Sequence, residues 1–337
     1  MQKTEPTVKN TVNPCWSEPR RPSQELIAKL RGGPFSSALA KGQAALDELV
    51  DTLRRDKQAK PAVFVGAGTC GLGAGAGKTL DAIRQYCQTK KLDVDIVETG
   101  CIGFCSEEPI VDIKLPGKAR VSFGNVTAED VPQLFDKAWI GKFDPDHIIG
   151  QFRSAADKSW AGVPFLDEHP FMKLQCRVVL AGSGIVDPTN IDEYIARGGY
   201  SAMAWALKNK TAQELCDLVE ASGLRGRGGG GFPTGKKWKF ALKEVADQKY
   251  LVCNADEGDP GAFMDRAVGE SDPHRLIEGM IIAAYGIGAT KAYIYIRAEY
   301  PLAVQRLQDA IKQARAYGLL GHNILDSGND LDIILKM

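Results

Sequence analysis

A glycine-rich stretch at residues 223–240 carries the residue types best suited to binding a ligand. Four consecutive glycines begin at Gly228, and a backbone without Cβ atoms can approach a bound molecule closely. The rings of Phe232 and Phe240 offer stacking faces, and the lysines between them offer positive charge. A helix is predicted to begin near Gly235, and its N-terminal amides can meet a phosphate. This combination predicts a site for a large, flat, anionic molecule and disfavours a flexible linker.

An acidic stretch at residues 254–261 follows a predicted strand at 250–253. Ligands of α/β sheets collect at the carboxyl ends of strands. Asp256, Glu257 and Asp259 place three carboxylates within four residues, where they repel one another unless donors surround them. The hydroxyls of a ribityl or ribose group are suitable donors, and a metal ion is an alternative partner. A solvated acidic turn is disfavoured because the glycine-rich stretch lies close by in the chain.

Three of the eight cysteines stand in loops at the ends of predicted strands: Cys70, Cys101 and Cys105. The polar N-terminus lacks the apolar core of a secretion signal, which indicates a reducing cytoplasm in which disulfides are not expected. Cysteines in that setting are either small buried residues or ligands of metals and redox centres. We assign no function to Cys15 and to three of the four histidines, and we predict that the fourth, His274, is structural. Three further cysteines are expected to be ordinary buried residues: Cys176, Cys216 and Cys253.

Hydrophobic patterning divides the chain into segments that position these residues. An N-terminal arm and helical extension is predicted for residues 1–58, and its apolar face is expected to pack on its own chain. Residues 59–142 predict a small sheet in the order β-α-β-β-β-α, with a tight glycine-rich loop at 66–75 and a final helix capped by Thr127. A linker is predicted for 143–176. Alternating helices and strands over 177–337, beginning with a strand at 178–180, predict an α/β domain with a partly parallel sheet.

The overall composition excludes several classes of function. The 42 basic and 42 acidic residues of the 337-residue chain cancel, which argues against a nucleic-acid or anionic-membrane surface. No apolar run reaches the roughly 18 residues that a membrane-spanning helix needs. The segment around Lys78 and Thr79 suggests a P-loop, but Leu72 stands where that motif requires glycine. We therefore expect a soluble, cytoplasmic protein of another kind.

The glycine-rich and acidic stretches together resemble the signature of a family of NADH-binding FMN flavoproteins, which are subunits of respiratory complex I and its soluble relatives. These relatives are the diaphorase subunits of NAD-dependent formate dehydrogenases and bifurcating hydrogenases. The resemblance extends from about Arg177 to the C-terminus. It implies an α/β fold in which a thioredoxin-like small domain precedes a Rossmann-like FMN/NADH-binding domain, with FMN and NADH sharing the glycine-rich site.

The resemblance also implies roles for individual residues and for the chain. Phe232 and Phe240 match positions that enclose the adenine, and Asp259 matches a position that contacts NADH. The implied activity is that of an NADH:acceptor oxidoreductase module of a soluble multisubunit redox complex. There, a hydride passes from NADH to FMN, and single electrons then pass to iron-sulfur clusters on partner subunits. Flavin-binding positions are matched by Gly226, Gly228, Lys237, Asn254, Asp256 and Glu257.

The cysteines resemble part of the 2Fe-2S site of thioredoxin-like ferredoxins. An iron-sulfur cluster of this kind needs four ligands. The family's remaining cysteine would fall near Val65, which cannot bind a metal, and Cys87 lies at the far end of a predicted helix from Cys70. Two interpretations stay open: a bound 2Fe-2S cluster, or a domain that keeps the fold for docking without one.

In the family, the flavin domain continues into a segment with a Cys-Gly-Glu-Glu motif, a ubiquitin-like domain and a 4Fe-4S domain. None of these is present within the 337 residues, so we interpret the chain as truncated and expect a 4Fe-4S cluster only in the missing region. The alternative function is that of a non-catalytic docking or assembly subunit.

Overall fold

The structure is a computed structural model, and it describes residues 20–337. Residues 1–19, which include Cys15 and most of the predicted arm, lie outside the described residues. The described chain forms two compact units. Unit 1 comprises residues 57–185, and unit 2 comprises residues 20–56 and 186–337.

Three short helices occupy the described part of the region that was predicted as a helical extension. The apolar side chains of Leu26, Ile27 and Phe35 are fully buried in the core of unit 2, as expected for a face that packs on its own chain. This region is therefore part of unit 2 and differs from the separate extension that we predicted for 1–58. The helices are α1 (Gln24–Ile27), α2 (Phe35–Ala40) and α3 (Gln43–Leu53).

Unit 1 contains one five-stranded sheet in the order β2-β1-β3-β4-β5. Its elements are β1 (Ala62–Gly66), α4 (Thr69–Ala74), α5 (Ala76–Lys90), β2 (Asp95–Thr99), β3 (Val111–Lys114), β4 (Val121–Phe123), α6 (Val131–Ala138) and β5 (Ile148–Gln151). Strands β1 and β2 are parallel, whereas β3 pairs antiparallel with both β1 and β4. A parallel pair with a helical crossover, followed by an antiparallel hairpin and a helix, is the thioredoxin-like arrangement that was predicted.

Three local features of unit 1 differ from the predictions. The glycine-rich segment after β1 is not a simple loop, because residues 69–74 form α4. Asp130 is the N-cap of α6, and Thr127 instead donates hydrogen bonds from its amide and hydroxyl to the Asp130 carboxylate. Residues 143–176 are not only a linker, because β5 pairs antiparallel with β4.

Unit 2 combines helices with a sheet of three parallel strands in the order β6-β7-β8. Its remaining elements are α7 (Ile191–Ala196), α8 (Ser201–Asn209), α9 (Ala212–Ala221), α10 (Thr234–Lys243), β6 (Tyr250–Ala255), α11 (Met264–Ser271), α12 (Pro273–Ile287), β7 (Lys291–Ile296), α13 (Pro301–Ala316) and β8 (Asp332–Lys336). The α/β class predicted for this region is confirmed. Helix α11 was not predicted. Residues 178–180, predicted as the first strand of this domain, form no strand and belong to unit 1.

One face of the unit 2 sheet packs on helices, and the other is open. Ala292 and Ile294 of β7 are fully buried, and the helices α12 and α13 contribute to the same core. On the opposite face, Tyr250 and Val252 of β6 are exposed. Among the described helices, none has the length and apolar character that crossing a membrane requires.

Candidate functional site

The glycine-rich stretch forms a closed loop between α9 and α10. Helix α9 begins with a capping box, in which Thr211 and Glu214 bond each other's backbone amides. The amide of Gly226 donates to the carbonyl of Phe232 over 2.8 Å, and the amide of Thr234 donates to the carbonyl of Leu224 over 2.9 Å. These bonds hold the two ends of the loop together and leave the glycines between them at its exposed tip.

Two positions in this region are occupied by glycine for different structural reasons. A Cβ atom on Gly235 would lie 2.3 Å from the backbone nitrogen of Glu220, so the packing of α10 on α9 requires glycine there. A Cβ atom on Gly228 would meet nothing within 4 Å, and its backbone φ is not in the left-handed region. Neither packing nor conformation demands glycine at Gly228. The open space beside it suits the close approach of a ligand.

The lysines of α10 divide into paired and unpaired groups. Lys239 forms ion pairs with Asp217 at 2.6 Å and with Glu220 at 2.5 Å, and these contacts raise the pKa of its ammonium group. Lys236 and Lys237 are exposed and form no ion pair within residues 20–337. Lys237, the predicted flavin-binding lysine, therefore keeps its charge available to an anion.

Phe232 and Phe240 lie side by side at the surface, 49% and 59% exposed. Their ring centroids are 6.3 Å apart and their planes are inclined by 46°. Rings at this distance contact each other directly. An adenine between them requires at least one ring to rotate, so the enclosing role stays a prediction.

The acidic loop follows β6, and Glu257 is engaged by the backbone of α11. One carboxylate oxygen of Glu257 accepts the amide of Asp265 over 2.7 Å, and the other accepts the amide of Arg266 over 2.9 Å. The Glu257 carbonyl lies 3.4 Å from Arg297, which follows β7. Glu257 thus caps a helix and links the carboxyl ends of two strands, and a direct flavin contact through its carboxylate would compete with these bonds.

The other residues predicted in this loop are more available. Asn254 lies on the open face of the sheet, and its side-chain oxygen accepts the amide of Asp256 over 3.1 Å. Asp256 is half-buried, and Asp259 is fully exposed beyond it. Polar side chains therefore gather at the carboxyl edge of the parallel sheet, where α/β proteins bind ligands.

The structure brings three predicted cysteines of unit 1 together. Cys70 lies on α4, Cys101 follows β2, and Cys105 begins a 3-10 turn. Their sulfur atoms all lie within 4.8 Å of one another, and those of Cys101 and Cys105 are 3.8 Å apart. The amide of Gly103 donates to the Cys101 sulfur over 3.2 Å. We call these three residues the cysteine triad, and its spacing suits a shared metal centre.

Burial disfavours the charged forms of the triad. Burial raises the pKa of the Cys101 thiol and that of the Cys105 thiol, so a positive charge is needed to stabilise the thiolates. Glu108 lies beside Cys101, and burial raises the pKa of its carboxyl group to about 7. Sequence reasoning missed Glu108, although the pattern Cys-x3-Cys-x2-Glu could have indicated it.

The other described cysteines agree only in part with the burial that we predicted for them. Cys87 is buried in the same hydrophobic core as Val65 and is not part of the triad. Cys216 is buried and donates to the carbonyl of Gly286 over 3.2 Å. Cys253 is partly buried, but Cys176 is exposed, contrary to our prediction. Among the described residues, no cysteine is in a disulfide.

Part of unit 2, including the candidate site, matches a known protein family. Residues 219–334 match the family described as the Nuo51 FMN-binding domain. This range contains the glycine-rich loop, α10 and the acidic loop. The resemblance inferred from those stretches is confirmed.

Curated relatives match the chain over part of its length. The NADP-reducing hydrogenase subunit HndC of Solidesulfovibrio fructosivorans is 60% identical over 164 residues, which are 49% of this chain and 33% of HndC. An NADH-quinone oxidoreductase subunit of Aquifex aeolicus is 57% identical over 144 residues, which are 43% of this chain and 33% of that relative. The matched part of the chain spans about a third of the length of these relatives.

Two kinds of solved structure are also similar. An NAD+-reducing [NiFe]-hydrogenase in the air-oxidized state has a TM-score of 0.32 and 22% identity, covering 96% of this chain and 52% of that chain. A thioredoxin-like [2Fe-2S] ferredoxin from Aquifex aeolicus has a TM-score of 0.25 and 22% identity, covering 29% of this chain and 96% of that chain.

Proposed function

We propose that the chain is the NADH:acceptor oxidoreductase module of a multisubunit redox complex, with FMN and NADH bound at the glycine-rich loop of unit 2. The observation that carries the proposal is the match of residues 219–334 to an FMN-binding domain. The open space beside Gly228, which no atom of residues 20–337 fills, lies within that match.

The residues of the loop have distinct tasks in this proposal. Gly226 and Gly228 let the backbone approach the flavin, and Lys237 offsets the negative charge of its phosphate. Asn254 and Asp256 bond the polar groups of the flavin, while Phe232, Phe240 and Asp259 hold NADH. When bound, FMN supplies a two-electron hydride acceptor that can release its electrons singly.

The partners proposed for this chain follow from the names of its relatives. HndC is a subunit of a hydrogenase, and the Aquifex aeolicus relative is a subunit of an NADH-quinone oxidoreductase. We infer that this chain also works with iron-sulfur and catalytic subunits in the cytoplasm. The cysteine triad of unit 1 supports a 2Fe-2S cluster, for which it supplies three thiolates.

Flavin binding and diaphorase activity test the proposal. The purified full chain is titrated with FMN, and NADH-dependent reduction of ferricyanide is then measured. We expect saturable FMN binding and turnover that depends on the flavin. A chain that binds no FMN and reduces no ferricyanide, yet co-purifies with partner subunits, would be the alternative docking or assembly subunit.

A further inference from the structure

The cysteine triad lacks one donor for the metal centre that its chemistry suits. Iron-sulfur clusters of the 2Fe-2S type and tetrahedral metal sites use four protein ligands. Val65, where the resemblance places a fourth cysteine, is a fully buried strand residue in the core of unit 1. The fourth donor therefore has to come from another element.

Glu108 is placed to supply that donor. It is only 6% exposed, and its carboxylate lies beside the Cys101 thiol. Its Oε2 atom accepts the amide of Ile110 over 2.9 Å. Its Oε1 atom is buried and has no hydrogen bond of standard geometry within residues 20–337, although the Cys101 thiol is a hydrogen-bonding neighbour of the carboxyl group. A buried carboxylate oxygen without such a bond is costly unless a ligand engages it.

Two glycines keep space for this carboxylate. A Cβ atom on Gly66 would lie 2.9 Å from Oε2 of Glu108, and a Cβ atom on Gly71 would lie 3.1 Å from the same oxygen. The Gly71 Cβ atom would also lie 2.0 Å from the carbonyl oxygen of Gly66. The close approach of β1 and α4 therefore brings Cys70, the neighbour of Gly71, and Glu108 to the same place.

We propose that the Glu108 carboxylate is the fourth ligand of the metal centre held by the cysteine triad. Unit 1 then binds a 2Fe-2S cluster through three thiolates and one carboxylate oxygen. A carboxylate carries the same charge as the thiolate it replaces, so the total charge of the ligand set is unchanged. The inference rests on the metal-binding part of the proposed function and is independent of flavin binding in unit 2.

Substitutions at Glu108 test the proposal in the full chain, reconstituted without oxygen with iron and sulfide. The readouts are the iron and sulfide content and the electron paramagnetic resonance spectrum after reduction with dithionite. The matched control is Glu107→Gln, because the neighbouring Glu107 only accepts a hydrogen bond from Asn125 over 3.0 Å. FMN binding is measured on each sample, so failure of the flavin site is recognised separately.

We expect Glu108→Ala to lower the affinity for iron by roughly 10-fold or more, because losing even an outer-shell partner of a metal site costs about that much. Glu108→Cys should restore the iron with a changed spectrum, because a thiolate can ligate in place of the carboxylate. Glu107→Gln should behave as the unmodified chain. The proposal is overturned if the unmodified chain binds no iron and sulfide, if Glu108→Ala keeps its iron and spectrum, or if Glu108→Cys fails to restore them.

Discussion

At the scale of single residues, the glycine-rich stretch contains one glycine that packing requires and another that packing does not explain. Gly235 meets the backbone of Glu220, whereas Gly228 faces open space. From the sequence, both were interpreted as parts of one ligand-binding stretch, because glycine spacing alone does not reveal what a Cβ atom would touch. The contrast between them makes the ligand role of Gly228 measurable.

The substitution Gly228→Ala should weaken FMN binding about 10-fold or more, because the added methyl group fills the space that the flavin requires. The free energy of unfolding should stay unchanged or rise by up to about 1 kcal/mol, since the backbone conformation tolerates alanine. Gly235→Ala is the matched control and should destabilise the fold by about 1–3 kcal/mol. Flavin titration and urea unfolding measure the two effects. Equal FMN affinity in Gly228→Ala and the unmodified chain would remove Gly228 from the site.

The charge of Lys237 should matter more for FMN than that of Lys239. Lys237→Ala is expected to weaken FMN binding roughly 10-fold, the loss typical of a charge-assisted hydrogen bond. Lys239→Ala should change FMN binding much less, because its ammonium group is already paired with Asp217 and Glu220. Calorimetric titration with FMN compares the two variants. A larger loss in Lys239→Ala would contradict the assignment.

At the scale of elements, the helices around the unit 2 sheet are joined by a buried histidine. His274 of α12 is 1% exposed, its Nδ1 atom lies 2.9 Å from the Tyr200 hydroxyl, and its Nε2 atom lies 3.0 Å from the side-chain oxygen of Gln313. This network gives His274 the structural role that we predicted. Burial lowers the pKa of His274 to about 4.

This histidine should make unit 2 less stable in acid. Between an unfolded pKa of about 6.5 and a folded pKa of about 4, the unfolded state binds more protons, so stability falls as the pH falls. The loss should reach about 3 kcal/mol at about 1.4 kcal/mol per pKa unit. Urea unfolding of the unmodified chain and of His274→Gln at pH values across this window measures it. If the free energy of unfolding fell equally with pH in both proteins, the prediction would be contradicted. Asp272 and other buried groups are present in both, so only His274 can cause a difference between them.

The elements that the sequence predicted well are those with strong local patterns. The alternating helices and strands predicted for the last part of the chain are confirmed, with α12 and β7 among them. Helix α4 was missed because glycines disfavour helices locally, although Gly71 is needed for close packing. Helix α11 and strand β5 depend on contacts with residues outside their own segments, namely the cap from Glu257 and the pairing with β4.

The site shows the same division between local and spatial information. The glycine-rich loop, Lys237 and the cysteine triad were predicted from their residue types and spacing. Glu108 was missed because its spacing from Cys105 marks it only as a candidate, and its burial beside Cys101 is a property of the fold. The engagement of Glu257 by α11 was missed because that helix itself was not predicted.

At the scale of the whole molecule, the two units carry different chemistry. Unit 1 holds three cysteines that could bind a metal ion, and unit 2 holds the stretch that matches an FMN-binding domain. The unit 2 sheet keeps one open face with Tyr250 and Val252 exposed, although parallel sheets are normally covered on both sides. This division fits a module that accepts a hydride in one unit and holds a metal centre in the other.

The most direct test of the central claim is an anaerobic titration of the FMN-loaded full chain with NADH, followed by visible absorption. We predict that one equivalent of NADH bleaches the bound flavin, and that Gly228→Ala, prepared in the same way, binds less FMN and so shows a smaller bleached absorbance at FMN concentrations that just saturate the unmodified chain. A bound flavin that keeps its oxidised spectrum in excess NADH would contradict the proposed function.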